Sequence, residues 1–179
     1  RLGKWKPENY GKKFYGPSPL RKGIENSRNL MTVRIAQYLG MDKISEIANR
    51  VEIMSNMPEV LSMALGAGET TLIDLTSAYA SFVNGGKKIY PIMIDRIQDR
   101  RGKNIYLADF GTCLNCSQPF IEDSPVPVIE DGNIQIFDPV NSYQMVSILK
   151  GAVDRGTGRR TKITGFEIGG KTGTTNKNT

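Results

Sequence analysis

The sequence contains no histidine among its 179 residues. Without an imidazole, the chain cannot form a Ser-His-Asp triad or a Cys-His pair, and it lacks a common nitrogen ligand for zinc. Any general base that the chain supplies must therefore be a lysine, an acidic side chain, a tyrosine or a chain terminus. Catalysis by the usual histidine-dependent hydrolases is excluded.

Cysteine is nearly absent as well. Cys113 and Cys116 are the two cysteines and form one C-x-x-C pair. A four-cysteine zinc site needs a second pair, so we expect no structural metal. A local disulfide in an oxidising compartment and two free thiols in a variable loop both remain open as interpretations.

Long apolar runs are missing too, since no stretch approaches the ~20 residues that a membrane span needs. The chain begins with Arg1 without a signal peptide, and it stops abruptly after a motif. We therefore expect a piece of a longer protein, whose membrane anchor would lie outside this chain.

Negative charge is in the minority, and the formal net charge is +6. A basic surface could meet nucleic acid, an anionic cell-wall polymer or a membrane. Lysine and arginine are spread along the chain, and no nucleic-acid-binding motif accompanies them. We therefore expect no nucleic-acid partner.

The first half of the chain has helical periodicity. Ser18 and Pro19 indicate a helix start, with Ser18 as the N-cap. Two further helices are expected around Gly40, the second capped by Asp42, and a fourth begins with the T-x-x-D pattern of Thr71. The residues expected to face the core are Met31, Ile35, Tyr38 and Leu39, then Ile44, Ile47, Ala48 and Val51, then Leu72, Leu75, Tyr79, Phe82 and Val83.

The second half has a different pattern. Two runs rich in β-branched residues surround Arg101-Gly102, which predicts a hairpin. Residues 108–133 are rich in Gly, Pro, Asn and acidic residues without periodicity, which indicates a variable loop excursion. Asp138 and Pro139 predict the cap and first position of another helix. The stretch "GTGRRTKITGFEIGGKTGTT" is expected to form strands.

The segment "GFEIGGKTGTT" has two incompatible interpretations. Gly165 to Thr172 satisfies the phosphate-loop pattern G-x-x-x-x-G-K-[ST], and the same letters contain the K-T-G triad of enzymes that acylate a serine. A phosphate loop must follow a strand and open a helix. The bulky residues before Gly170 suit a strand, and the glycine, threonines and asparagines after Lys171 form helices poorly. The context therefore favours K-T-G.

A second motif lies upstream, at a predicted junction between helices. Ser27 and Asn29 form an S-x-N, and side chains two residues apart at a bend can face one cleft. Taken singly, the motif is also explained by a helix cap at Ser27 and a first-turn residue at Asn29. Lysine, threonine and glycine in K-T-G would supply a positive charge, hydroxyls for a carboxylate and close approach to the backbone.

Together these motifs resemble class A penicillin-binding proteins. "WKPENYGKKFYGPSPLRKGIENSRNLMTVRIAQYLGM" is similar to the stretch around their S-x-N, and "LSMALGAGETTLIDLTSAYASFVNGG" to the helical segment after it. "NSYQMVSILKGAVDRGTGRR" followed by "GGKTGTTN" is similar to the run into their K-T-G strand. The resemblance implies that residues 1–179 are part of one transpeptidase domain. The implied fold is α/β (α+β type), an antiparallel sheet covered by helices like that of penicillin-binding proteins and β-lactamases, incomplete at both ends.

The resemblance implies a D,D-transpeptidase that cross-links peptidoglycan stem peptides ending in D-Ala-D-Ala through a serine acyl-enzyme, and that β-lactams inhibit. Ser27 would relay a proton to the leaving amine, and Asn29 would orient the substrate and the lysine of the nucleophile motif. Lys171 would keep the cleft positive and assist the relay. These roles need no metal or other cofactor, because the chemistry depends on lysines.

The K-T-G segment would hold the substrate. Thr172 and Thr174 would bind the terminal carboxylate, and Gly173 would let the ligand approach the backbone. The N–H of Thr174 would be half of the oxyanion hole. The full protein would sit on the periplasmic face of the bacterial inner membrane, anchored by an N-terminal segment and preceded by a glycosyltransferase domain.

The nucleophile motif S-x-x-K should precede Ser27 and is not in the chain. Ser147 and Lys150 form a literal S-x-x-K, but we expect them on the solvated face of a helix, because a nucleophile needs the free N–H of a helix N-terminus. Two alternatives stay open: a D,D-carboxypeptidase or β-lactamase-like hydrolase, and a non-catalytic sensor module.

Overall fold

A computed structural model describes residues 5–108, 112–114, 128–130 and 132–173, the two short ranges 112–114 and 128–130 by their backbone alone. The helices are α1 (Leu20–Glu25), α2 (Asn29–Leu39), α3 (Met41–Arg50), α4 (Leu72–Val83) and α5 (Pro139–Asp154). Short 3-10 turns lie at Leu61–Leu65 and Arg159–Thr161. The strands are β1 (Arg96–Gln98), β2 (Asn104–Leu107), β3 (Thr112–Leu114) and β4 (Val128–Glu130).

Two groups of helices form the packed part of the fold. α2 packs on α3 and on the 3-10 turn at Leu61–Leu65, around a core of small and flexible apolar side chains: Ala36, Met41, Ala48 and Met57. α5 packs against both α1 and α4. The buried face of α5 includes Gly151 and Ala152, whose small size lets α1 approach closely. None of the helices in the described ranges is both long and apolar enough to cross a bilayer.

The strands form two separate antiparallel pairs. β1 and β2 make the hairpin predicted around Arg101-Gly102, with Arg96 opposite Leu107, and Gly102 takes the positive φ of 81° that its turn requires. β3 pairs with β4 inside the stretch predicted as a variable excursion, which places Cys113 opposite Ile129. Cys116 lies outside the described residues. Helices combined with antiparallel strands confirm the expected fold class.

Two predicted helix starts are confirmed. The Thr71 hydroxyl accepts from the N–H of Asp74 at 3.1 Å and donates to its carboxylate at 2.5 Å, which caps α4. The Asp138 carboxylate accepts from the N–H groups of Val140 and Asn141 at 2.8 and 3.2 Å, with Pro139 at the first position of α5. Both caps satisfy N–H groups that have no partner within the helix.

Two other predicted caps are wrong. α1 begins one residue later than expected, with Pro19 as its N-cap, because the Ser18 hydroxyl donates to the Gly16 carbonyl and accepts from Arg28. α3 begins at Met41 directly after Gly40, so Asp42 lies in the first turn. In the first turn, the negative charge of Asp42 still interacts favourably with the positive end of the helix dipole.

The predicted buried faces are also wrong in part. α2 buries Val33 and Ala36, whereas Tyr38 is 89% exposed. On α4, Leu72 and Val83 are 81% and 79% exposed. The period of the apolar residues predicts that these segments are helices, but it does not say which arc of a helix meets a neighbour.

The expected K-T-G strand is not observed. Residues 162–173 contain one turn at 164–165 and otherwise have no regular secondary structure, and in the part of the chain that the structure describes no strand pairs with them. A strand is defined by backbone hydrogen bonds to a neighbour, so an extended segment without such a neighbour is not one. Among the described residues, the same segment also lacks the preceding strand that a phosphate loop needs.

Candidate active site

Ser27 lies in the turn that ends α1. The N–H of Arg28 donates to the carbonyl of Gly23 at 2.9 Å, and the N–H of Ser27 donates to that of Ile24 at 3.1 Å. These two bonds form a Schellman motif, whose left-handed position normally holds glycine. Here Ser27 occupies that position with a φ of 52°. The fold thus holds a serine in a backbone conformation that disfavours side chains, a feature that is concentrated at functional sites.

The other two residues of the S-x-N motif are also fixed. The Arg28 guanidinium lies 3.8 Å from the centroid of the Tyr15 ring and donates to Ser18 at 2.9 Å. Asn29 is the first residue of α2, and its side-chain amide donates to the carbonyl of Glu8 at 3.0 Å. The segment before α1 therefore holds the motif on one side.

Lys171 contacts this turn directly. Its Nζ donates to Ser27 Oγ at 2.7 Å and to the carbonyl of Thr172 at 2.7 Å. Partial burial lowers the pKa of the Lys171 ammonium. The structure therefore brings together Ser27 and Lys171, which are 144 positions apart in the sequence. Asn29, by contrast, is joined to Glu8.

The K-T-G segment is attached to α5 by few contacts. The N–H of Gly170 donates to the carbonyl of Leu149 at 3.1 Å, and Lys150 forms an ion pair with Glu167. Gly173 is exposed, and a Cβ built on it would meet no described atom within 4 Å. Packing among the described residues therefore does not require a glycine there. Thr174 lies outside the described residues.

Three residues of the site were missed by the sequence reasoning. Thr157 Oγ1 lies 2.7 Å from Thr172 Oγ1, and the N–H of Thr157 donates to the carbonyl of Glu25 at 3.1 Å. The buried Glu25 carboxylate accepts from Arg155 Nε at 3.0 Å and from a second Arg155 nitrogen at 2.5 Å. Arg155 and Thr157 belong to "RGTGR", upstream of K-T-G, and the two glycines on either side of Thr157 were the available signal.

Together these contacts close a ring around the end of α1. Glu25 contacts Arg155 in the loop after α5, and Thr157 of that loop contacts Thr172. Lys171, the neighbour of Thr172, donates to Ser27 at the end of α1. The arrangement presents an ammonium, a serine hydroxyl and an exposed threonine at one place. Such a set can bind an anion and pass a proton between hydroxyl and amine groups. The described residues contain no group of acidic or cysteine side chains that could hold a metal ion.

The S-x-x-K of Ser147 and Lys150 lies elsewhere on α5. Ser147 is well inside Pro139–Asp154, and its carbonyl and hydroxyl accept from Arg21 at 3.1 and 3.2 Å. Its position in the middle of a helix is as predicted. The N–H of a residue at such a position is used within the helix, which is unsuitable for an oxyanion hole.

A protein-family model described as the penicillin-binding protein transpeptidase domain matches residues 1–179. The chain belongs to this transpeptidase family. Penicillin-binding protein 1A of Rickettsia conorii is 44% identical over 174 residues, and that of Neisseria meningitidis strain Z2491 is 34% identical over 177 residues. These matches cover 96% and 97% of this chain but 22% and 20% of the relatives, so the chain spans about a fifth of their length.

Solved structures agree with this membership. Penicillin-binding protein 1A from Haemophilus influenzae superposes with a TM-score of 0.78 at 29% identity, covering 98% of this transpeptidase-family chain and 29% of that one. The D,D-transpeptidase domain of a peptidoglycan glycosyltransferase from Eggerthella lenta gives 0.70 at 20% identity, covering 95% and 45%. The second likeness shows the fold alone. The resemblance in the sequence and the fold class are thereby confirmed.

Proposed function

We propose that this chain carries part of the active site of a D,D-transpeptidase, which cross-links peptidoglycan stem peptides through a serine acyl-enzyme and is inhibited by β-lactams. The observation that carries the proposal is the 2.7 Å hydrogen bond from Lys171 Nζ to Ser27 Oγ, which joins S-x-N to K-T-G. Membership of the transpeptidase family supports the reaction class. The nucleophilic serine and its lysine would come from an S-x-x-K outside this chain.

In the proposed reaction, the external serine gives its proton to the lysine of its S-x-x-K, attacks the peptide carbonyl of D-Ala-D-Ala and expels the terminal D-alanine as an amine. Ser27 donates its proton to that leaving nitrogen and takes one back through Lys171, whose burial makes it a readier proton donor. Thr172 and Thr174 bind the terminal carboxylate of the substrate. An amine from a second stem peptide then attacks the acyl-enzyme.

We also propose the remaining assignments. Asn29 orients the substrate and the lysine of the nucleophile motif, and the N–H of Thr174 serves as half of the oxyanion hole. The full-length protein is anchored in the inner membrane with this domain on the periplasmic face, behind a glycosyltransferase domain. This chain spans 22% of the length of the Rickettsia conorii relative, which leaves room for both the anchor and the glycosyltransferase domain in a full-length protein.

The experiment is acylation of the full-length protein by a labelled penicillin. Ser27→Ala, Asn29→Ala and Lys171→Ala are each expected to slow acylation by about 10²-fold or more, the scale of a lost acid–base group. Ser147→Ala is the matched control and should acylate as the wild type does. Rates within twofold of wild type for Ser27→Ala and Lys171→Ala would contradict the proposal.

Two further measurements separate the alternatives. With a stem peptide and an amine acceptor, a transpeptidase forms the cross-linked product, whereas a carboxypeptidase or β-lactamase-like hydrolase gives only the product of water attack. A full-length protein that never forms a penicilloyl adduct would indicate a non-catalytic module. An adduct on Ser147, detected by intact mass, would place the nucleophile in this chain after all.

A further inference from the structure

The hydroxyl proton of Thr157 has two acceptors within reach, and in the contact with Thr172 either oxygen could be the donor. The Thr157 oxygen lies 2.7 Å from Thr172 Oγ1 and 3.5 Å from the carbonyl oxygen of Glu25. Hydroxyl hydrogen bonds are optimal near 2.7–2.8 Å and are weak at the longer distance. The Glu25 carbonyl also already accepts the backbone N–H of Thr157 at 3.1 Å. The better acceptor for the Thr157 proton is therefore Thr172.

The direction of that bond decides what Thr172 can do. A threonine hydroxyl has one proton and two lone pairs. If Thr172 donated to Thr157, its only proton would be used inside the protein, and it would meet an anion with lone pairs alone. If Thr157 donates, the Thr172 proton is free, and Thr172 is exposed. The Lys171 ammonium donates to the backbone carbonyl of Thr172 at 2.7 Å.

The loop that carries Thr157 is tightly placed. A Cβ on Gly156 would lie 2.2 Å from the carbonyl oxygen of Glu25, so no other residue fits there without a shift. The N–H of Gly158 donates to the carbonyl of Ala152 at 2.8 Å. Arg155, at the start of the loop, is paired with the buried Glu25 carboxylate. Thr157 is thus fixed before any ligand binds, which lowers the entropic cost of binding that ligand.

We propose that Thr157 is a positioning residue: it donates its hydroxyl proton to Thr172, so that the Thr172 proton is left to be donated to the carboxylate of the bound substrate. The inference rests on the proposed function, because it assumes a carboxylate-bearing substrate at Thr172. It adds a residue outside S-x-N and K-T-G that sets the preference of the site for an anionic group.

The test compares two probes on the full-length protein. Benzylpenicillin carries a free carboxylate, and its methyl ester does not; acylation by each is followed by intact-mass spectrometry. Thr157→Val is expected to slow acylation by benzylpenicillin about tenfold, the upper end for one neutral hydrogen bond, because the Thr172 hydroxyl loses the donor that orients it toward the carboxylate. With the ester, the same variant should stay within twofold of wild type. Thr157→Ser keeps the hydroxyl and should restore the rate with benzylpenicillin.

Thr172→Val should show the same pattern, and the double variant should be no slower than Thr172→Val, because Thr157 acts only through the Thr172 hydroxyl. Thr161→Val is the matched control: its hydroxyl donates to the Gly158 carbonyl in the same loop, so both probes should react as with wild type. If Thr157→Val lowers stability, Thr157→Ala compared with Thr157→Ser gives the same contrast of hydroxyl against none.

The two failures look different. A wild-type protein that forms an adduct with neither probe would refute the proposed function. If the wild type is acylated normally, two results would refute the assignment of Thr157 while the proposed function stands. Thr157→Val could slow acylation equally with both probes, or it could slow acylation with neither.

Discussion

At the scale of single residues, Ser27 combines an unfavourable backbone with a useful hydroxyl. The left-handed conformation costs a residue with a Cβ about 1–2 kcal/mol relative to its normal region, and glycine avoids this cost. Because Ser27 occupies the glycine position of a helix-ending motif with a φ of 52°, stability and function make opposite demands on it.

We therefore predict that Ser27→Gly and Ser27→Ala lose penicillin acylation equally but differ in stability. Both lack the hydroxyl that Lys171 contacts, whereas only alanine keeps the strained Cβ. The glycine variant should have a free energy of unfolding about 1 kcal/mol higher than the alanine variant in denaturant titrations. Lys12, also at a φ of 52°, is the control. The free energy of unfolding of Lys12→Gly should exceed that of Lys12→Ala by a similar amount, and both variants should be acylated as the wild type is. Equal stability of the two Ser27 variants would argue against strain.

At the scale of secondary-structure elements, α5 supports the site through a glycine. Gly151 faces α1, and a Cβ there would lie 2.0 Å from Glu25 Oε1 and 2.6 Å from an Arg155 nitrogen. A glycine in an exposed helix usually costs about 1 kcal/mol relative to alanine. Here it instead makes room for the ion pair.

Gly151→Ala is therefore expected to destabilise the domain by about 1–3 kcal/mol, opposite in sign to helix propensity, because the buried carboxylate must move. The effect is measured as a lower midpoint of thermal or denaturant unfolding. Gly16→Ala is the comparison, since a Cβ at Gly16 meets nothing within 4 Å and the change there should be small. A more stable Gly151→Ala protein would show that Glu25 relaxes without cost.

The elements also show how far the sequence could predict this structure. Caps such as Thr71 and Asp138 were predictable because the cap and the N–H groups it satisfies are within three residues. The exposed arc of α4 and the absence of a strand at K-T-G were not, because both depend on which neighbours are present. Ser27 and Lys171 were found through motifs of a known family. The pairing of Glu25 with Arg155 has no local pattern and needed the structure.

At the scale of the whole molecule, one ion pair joins α1 to the loop that follows α5. The Glu25 side chain is 6% exposed and that of Arg155 is 54% exposed, and the two residues are 130 positions apart. Arg21 lies 3.5 Å from the same carboxylate, so removing Arg155 leaves the desolvation cost of Glu25 only partly compensated.

Arg155→Leu should accordingly lower the free energy of unfolding by about 2 kcal/mol, moderated by the solvent that reaches the guanidinium side. Adding Glu25→Gln should recover part of this loss, because the amide needs no counter-charge. Arg159→Leu, an exposed arginine in the next turn, is the control and should change little. If the double variant were less stable than Arg155→Leu alone, the buried charge would not be the cause.

The sequence distance between Ser27 and Lys171 has a consequence for the time at which the site is assembled. Closing a long segment of chain costs entropy before the contacts at its ends contribute any stabilising free energy. Such contacts therefore form late in folding. The pair α2–α3 closes through near neighbours, whereas the two halves of the site meet across 144 positions. During synthesis, the S-x-N turn must wait until almost all of this chain has left the ribosome. A nascent chain from which only α1 to α4 have emerged would therefore already contain the α2–α3 core, without the site.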